Sequence, residues 1–308
     1  VIDGFIAINK APGMGSTDVV YKVRKIVHMK RVGHSGTLDP AVNGVLPIAL
    51  GSATKAISRL QDSGKIYTGS ITFGFATTTE DMEGEVVERT PLTVPIPDER
   101  IDAAMQSFIG DIIQIPPMYS AVKVNGRRLY DYARAGETVE RPQRHASIYD
   151  FRRTSATRFD ADQGTQTFEF SAHVGKGTYI RTLAVDLGKR LDLAATMTQL
   201  TRTESGGFVL EESVTLEQLA AAAEADQLLT LVRPVQHAYA GLTSYALADW
   251  QWESVQHGNF LKLPSTDDEL ILTYQGIMKA LYKLDADGSY HPETMYLSNS
   301  FGGDNSAN

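Results

Sequence analysis

The stretch GHSGTLDP at residues 33–40 sets one carboxylate, Asp39, in a loop whose backbone is shaped from both sides. Pro40 pushes Asp39 toward extended backbone, and Gly33 and Gly36 permit turns and a close substrate backbone. A carboxylate is normally ionised at neutral pH and becomes a nucleophile when a cation orients it and water is kept away. Taken alone, an Asp-Pro step in such a setting caps a turn more readily than it builds an active site. A second concentration of chemistry lies between Pro116 and Arg144, where Lys123, Arg127, Arg128, Arg134, Arg141 and Arg144 are interleaved with Tyr119, Tyr130 and Tyr132. Guanidinium and phenol groups in that mixture suit phosphates and unstacked bases, as a mobile arm would, and equally an ordinary surface hairpin followed by a helix.

Other chemistries lack their motifs. The absence of cysteine removes disulfides, thiolate nucleophiles and cysteine-bound zinc. The seven histidines show no HExxH or paired-ligand spacing, so no metal site is expected. GSATK at 51–55 ends like a phosphate loop without its opening glycine, and GKGTYI at 175–180 lacks the third glycine of a dinucleotide fingerprint. The expected chemistry therefore needs no cofactor. A retaining glycosidase would require a second acid opposite Asp39, and no motif supplies one.

Hydrophobic spacing indicates the elements that must position these groups. GFIAIN (4–9) reads as a short buried strand, and a turn at Pro12-Gly13 leads to a helix starting at Ser16 or Thr17. Val19, Val20, Val23, Ile26 and Val27 form its apolar face. Lys22, Arg24, Lys25, Lys30 and Arg31 lie on or just beyond the other side, as a solvated face or a phosphate-facing one. Residues 33–51 read as a loop entering a buried strand at GVLPIAL, followed by a helix over 53–60. KIYTGSITFG (65–74) alternates as a strand, TTTEDMEGEVVE (77–88) as an exposed hairpin or loop, and PDERIDAAMQSFIGDI (97–112) as an amphipathic helix. Asn125-Gly126 predicts a tight turn. Strands follow at SIYDFRR and TFEFSAHV, then a helix within GKGTYIRTLAVDLGKRL and another at 215–223. Beyond a linker at 233–241, LILTY, GIMKALYKL and TMYL predict a small all-β module, and residues 301–308 a disordered tail.

A chain of 308 residues, 42% hydrophobic and 21% charged, is long enough for two globular domains. It shows neither a leader-like start nor a membrane-length apolar run, which predicts a cytoplasmic protein. The net charge of −8 argues against a nucleic-acid partner until its distribution is considered. Over residues 1–60 the bases Lys10, Lys22, Arg24, Lys25, Lys30, Arg31, Lys55 and Arg59 face only Asp3, Asp18 and Asp39, whereas acids dominate after Gly206. A basic N-terminal region beside an acidic C-terminal module describes the chain better than its total does.

GHSGTLDPAVNGVLPIALGSATK resembles the signature segment of the bacterial TruB-type tRNA pseudouridine synthases. INKAPGMGSTDVV is similar to that family's Lys-Pro-x-Gly-Met motif, KIYTGSITFG to its tyrosine-bearing strand, PPMYSAVKVNGRRLYDYAR to its RNA-clasping arm, and GKGTYIRTLAVDLG to its arginine motif. Order and spacing agree over residues 3–210. Residues around VQHGNF are more loosely similar to a PUA domain. One departure is Lys10-Ala11 in place of Lys-Pro, with the proline at Pro12.

The resemblance implies an α+β fold with a mixed, mostly antiparallel central sheet and a C-terminal all-β PUA-like domain. It implies a catalytic domain over 1–235 with an RNA-binding arm at 116–145, and a PUA-like domain over 241–300. The implied activity is isomerisation of uridine 55 in the T-loop of tRNA, by base flipping and without a cofactor, in a monomer that does not enter membranes. Asp39 would be the nucleophile, Arg181 its partner and Tyr67 the residue packed against the base and serving as a base. His34 would fill the place of the extruded base, Leu200 and Tyr179 would shape the pocket, Lys10 would support it, and Arg127 and Arg128 would contact RNA. Attack at the ribose C1′, passage through a glycal and addition to the uracil ring all remain open for Asp39. A tRNA-binding folding factor is the alternative of a different class.

Overall fold

The computed structural model describes residues 2–301; all of the expected C-terminal tail except Phe301 lies outside the described residues. The order of elements begins β1 (Gly4–Lys10), α1 (Ser16–Ile26), β2 (Val32–His34), β3 (Asn43–Leu50), α2 (Ile57–Asp62), β4 (Lys65–Phe73), β5 (Phe75–Thr77) and β6 (Val86–Arg89). It continues with α3 (Asp98–Gln106), β7 (Gly110–Gln114), β8 (Lys123–Val124), β9 (Arg127–Arg128), α4 (Leu129–Arg134), β10 (Arg144–Arg153), β11 (Arg158–Asp160), β12 (Thr165–Val174) and α5 (Ile180–Arg190). The remainder is β13 (Ala195–Ser205), β14 (Phe208–Val209), α6 (Leu216–Glu224), β15 (Thr243–Ala246), α7 (Asp249–Val255), β16 (Glu269–Tyr274), β17 (Ile277–Leu284) and β18 (Tyr290–Met295). No described helix is long and apolar enough to cross a membrane.

The residues group into two compact units, one of Val1–Pro40, Val45–Gln61 and Gly206–Asn308, the other of Ala41–Gly44 and Asp62–Ser205. The second unit is built on antiparallel strands in the order β13, β4, β12, β10, β7. The first residues of β3 run parallel to β13, pairing Asn43 with Thr201 and Gly44 with Arg202, so the sheet is mixed and mostly antiparallel, as expected. Gly44 has φ +114°, and a Cβ there would fall 2.2 Å from the Arg202 carbonyl oxygen; only glycine admits this approach. On one face Ile71, Phe73, Phe168 and Phe170 are buried, α5 packs against β13 and α3 against β10. Helix α3 ends at Gln106, short of the expected span, because Gly110 at φ +111° turns the chain and the β-branched Ile112 and Ile113 pair with β10.

The first unit joins both ends of the sequence. Phe5, Ala53, Leu60, Val235 and Tyr239 share one buried cluster with Ile271, Met278, Leu281 and Tyr296 of the C-terminal module. The module is a four-stranded sheet in the order β15, β16, β17, β18, with strand β15 and helix α7 in addition to the three strands that the apolar runs predicted. Leu270 and Leu272 pack inside the module while Ile271 faces the shared cluster, which is why LILTY opens on three consecutive apolar residues. The charge asymmetry of the sequence is partly settled within this unit, where Arg59 pairs with Glu269 and the Lys55 ammonium donates to the Met295 carbonyl, 2.6 Å.

Candidate active site

Asp39 is half-buried in the loop between β2 and β3, and the residues on either side of it are pinned. The Ser16 hydroxyl, itself buried at the start of α1, accepts from the Leu38 amide at 2.9 Å and donates to the Leu38 carbonyl at 3.1 Å. On the other side the Pro40 carbonyl accepts from the Gly13 amide at 2.8 Å and from Lys10 at 3.1 Å. Lys10 is 1% exposed, and its ammonium also donates to the carbonyls of Met14 (2.7 Å) and Ala11 (3.1 Å). An ammonium held this way is paired with backbone oxygens and fixes a turn. The INKAPG segment, with its displaced proline, thus builds a lysine-centred brace under the Asp39 loop. His34 ends β2, opposite Ile48 of β3, and Gly36 takes φ +83° just after it. The expected continuous loop from Gly33 therefore starts with two strand residues, because Gly33 and His34 find ladder partners in Ala49 and Ile48.

Tyr67 and Leu200 come together in the second unit. Tyr67 lies on β4 between Ala172 of β12 and Arg202 of β13 and is 7% exposed. Leu200 is opposite Gly69, so it shares the face of the sheet that carries Tyr67. A Cβ at Gly69 would lie 2.1 Å from the Gln199 carbonyl oxygen, and the absence of a side chain leaves the surface beside Tyr67 to Leu200. Strand β13 is not among the strands expected from the sequence, where Leu200 enters only through the family resemblance; its buried Thr196, Arg202 and Ser205 hide the apolar alternation.

Arg181 sits in the first turn of α5 and is 5% exposed. Its two terminal nitrogens donate to the carbonyls of Thr79 and Tyr119, each at 2.9 Å, and its Nε lies 3.7 Å from the Asp81 carboxylate. The Thr79 hydroxyl donates to Asp81 at 2.5 Å and the Glu83 amide donates to the same oxygen at 3.0 Å. The guanidinium is thereby fixed in one plane. Tyr179, half-buried, caps α5, its amide and carbonyl both bonded to the side chain of buried Gln114. Next to Arg181, Thr182 donates to Glu80 at 3.0 Å, and burial raises the Glu80 carboxyl above its usual range against the opposing pull of Thr182 and Arg181. Sequence reasoning missed both Glu80 and Asp81. The β5–β6 hairpin forms as expected, but its TTTED turn folds inward, and nothing in its polar composition distinguishes that from an exposed turn.

In the arm, Asn125 at φ 51° and Gly126 at φ 81° make the tight turn joining β8 to β9, and α4 follows at once. Arg127 stacks 4.4 Å from the Tyr132 ring centroid and pairs with Glu137 at 2.8 Å. Arg128 and Arg134 lie 5.6 and 5.3 Å from the Tyr130 ring. Among the described residues no cluster of His, Cys, Asp and Glu could hold a metal ion.

A family model for the TruB family pseudouridylate synthase N-terminal domain matches residues 24–180, more than half of the chain, and one for the tRNA pseudouridylate synthase B C-terminal domain matches residues 181–240. The chain belongs to the TruB family of pseudouridylate synthases. It is 53% identical over 298 residues to tRNA pseudouridine synthase B of Lacticaseibacillus paracasei, covering 97% of this chain and 99% of that protein. It is 54% identical over 301 residues to the protein of the same name from Latilactobacillus sakei, covering 97% and 99%. Among solved structures, a Cbf5-Nop10-Gar1 complex matches with TM-score 0.67 and 27% identity over 91% of this chain and 78% of that one. An archaeal box H/ACA Nop10-Cbf5 complex matches with TM-score 0.68 and 25% identity over 95% and 85%. The TruB-family chain is thus an enzyme of pseudouridine formation with the expected α+β fold, and its reaction exchanges an N-glycosidic bond for a carbon–carbon bond.

Proposed function

We propose that this TruB-family enzyme converts uridine 55 in the T-loop of tRNA to pseudouridine, acting as a cytoplasmic monomer. Residues 1–235, with the arm at 116–145, perform catalysis, and residues 241–300 form a PUA-like RNA-binding module. The observation that carries this reading is the brace around Asp39: Ser16 holds Leu38 and Lys10 with Gly13 holds Pro40, so a carboxylate is presented on a fixed backbone. Such fixing supports attack on a bound nucleotide, since a reacting group already in place needs little reorganisation.

The target base must leave its stack first, at a cost of a few kcal/mol that loop contacts offset. His34 takes the space that the base leaves, and Arg127 and Arg128 hold the RNA backbone. Arg181 pairs with Asp39, Tyr67 packs against the uracil and serves as the base that removes the C5 proton, and Leu200 and Tyr179 complete the pocket walls. The N1–C1′ bond breaks, the uracil turns, C5 bonds to C1′, the C5 proton is lost and the freed N1 takes up a proton, so no external donor or redox partner is needed. Incubating the protein with an unmodified tRNA transcript and mapping pseudouridine should show product at position 55. Product only at other positions, or none, contradicts the proposal.

A further inference from the structure

The exposed side of α1 is not used by the site described above, and its charges stand out in a chain of net charge −8. Val19, Val20 and Val23 are buried, while Tyr21, Lys22, Arg24 and Lys25 are exposed, with Lys30 and Arg31 exposed just beyond the helix. Among the described residues none of these five cations is in an ion pair. Lys55 and Arg59, from the same basic region, are by contrast engaged by a carbonyl and a carboxylate of the C-terminal module.

Helix stability accounts for only part of the cluster. Arg24 and Lys25 in the last turn suit the helix dipole. Arg24 also donates to the Val32 carbonyl at 2.9 Å, and Arg31 to the Thr54 hydroxyl at 2.7 Å. Lys22 has Glu217 of α6 within electrostatic reach. Lys30 has no such task, and Lys25 lies 4.4 Å from the ring centroid of Tyr21, which is itself 57% exposed. A cation held over an exposed phenol ring offers charge and a stacking surface together.

Position supplies the direction. The Arg24–Val32 bond ties the end of α1 to the start of β2, and His34 ends that strand two residues later, about 7 Å along it. We infer that Tyr21, Lys22, Lys25 and Lys30 form a docking surface for the sugar–phosphate backbone of the RNA stem adjoining the target loop. This rests on the reading under Proposed function, because His34 marks where the loop lies. Charge complementarity selects the occupant: unpaired cations on an otherwise acidic protein gain from neutralising a row of phosphates and releasing its counterions.

The test is binding of the full chain to unmodified tRNA over a range of salt, comparing wild type with the triple variant Lys22→Ala, Lys25→Ala, Lys30→Ala. The triple variant should bind roughly tenfold more weakly at moderate salt, with the slope of log affinity against log salt shallower by about two. In turnover the loss should appear in KM rather than kcat. An unchanged slope overturns the inference. Should the alanine protein not melt cooperatively, Lys22→Gln, Lys25→Gln, Lys30→Gln keeps the side-chain stems and is read the same way. The slope comes from binding alone, so it tests α1 whether or not product forms. A wild type that makes no pseudouridine defeats the functional reading separately.

Discussion

The Asp39 loop and the arm both carry residues assigned to RNA chemistry, yet they are held in opposite ways. Around Asp39 the neighbouring backbone groups are fixed by the buried side chains of Ser16 and Lys10. In the arm, Arg127 and Arg128 rest on half-buried tyrosine rings, and the Arg127–Glu137 pair is open to water. A carboxylate that must meet one atom requires a stiff support, whereas a phosphate grip works through hydrated charges that can adjust. Stiffness in the one region and adaptability in the other should separate under mutation.

The largest effect is expected from truncation after Leu231. It removes Val235, Tyr239, Ile271, Met278, Leu281 and Tyr296 from the cluster containing Phe5, Ala53 and Leu60. Thermal melting should show that the unit carrying the Asp39 loop no longer folds cooperatively; an unchanged melt would show that the loop does not depend on that core. Lys10→Met leaves the Ala11 and Met14 carbonyls without their donor and the Pro40 carbonyl with the Gly13 amide alone, and should cost about 2–4 kcal/mol in denaturant titration. Its turnover should fall even when RNA is saturating. Ser16→Ala removes both bonds to Leu38 and should cost about 1–2 kcal/mol, with a smaller fall in the same rate. Replacing Arg127 and Arg128 by alanine should change stability by no more than about 0.5 kcal/mol each. That variant should still weaken RNA binding and flatten its salt dependence; loss of kcat instead of affinity would erase the contrast between the two regions.

Much of the fold was legible where local chemistry and tertiary role agree. The Val19, Val20, Val23 stripe gave α1, and Asn125-Gly126 gave the arm's turn. Family motifs pointed to Asp39, Tyr67 and Arg181, while the reason their surroundings are rigid was not visible. Lys10 looks like any lysine until three carbonyls converge on it, and Asp81 looks like a surface acid until its turn folds onto Arg181. Strand β13 escaped because Thr196, Arg202 and Ser205 are buried polar residues whose places depend on neighbouring chain segments. The acidic C-terminal module looked independent because charge was counted along the chain, whereas Arg59 meets Glu269 across 210 positions.

The most direct measurement of the central claim is single-turnover pseudouridine formation by wild type and by Asp39→Asn, with the RNA fully bound in each case. The substitution keeps shape and hydrogen-bonding length while removing the charge, so folding and RNA affinity should be retained and the rate should fall by about three orders of magnitude or more. Pseudouridine formed by the Asn variant at a rate near that of wild type would contradict the assignment of Asp39 as the reacting carboxylate.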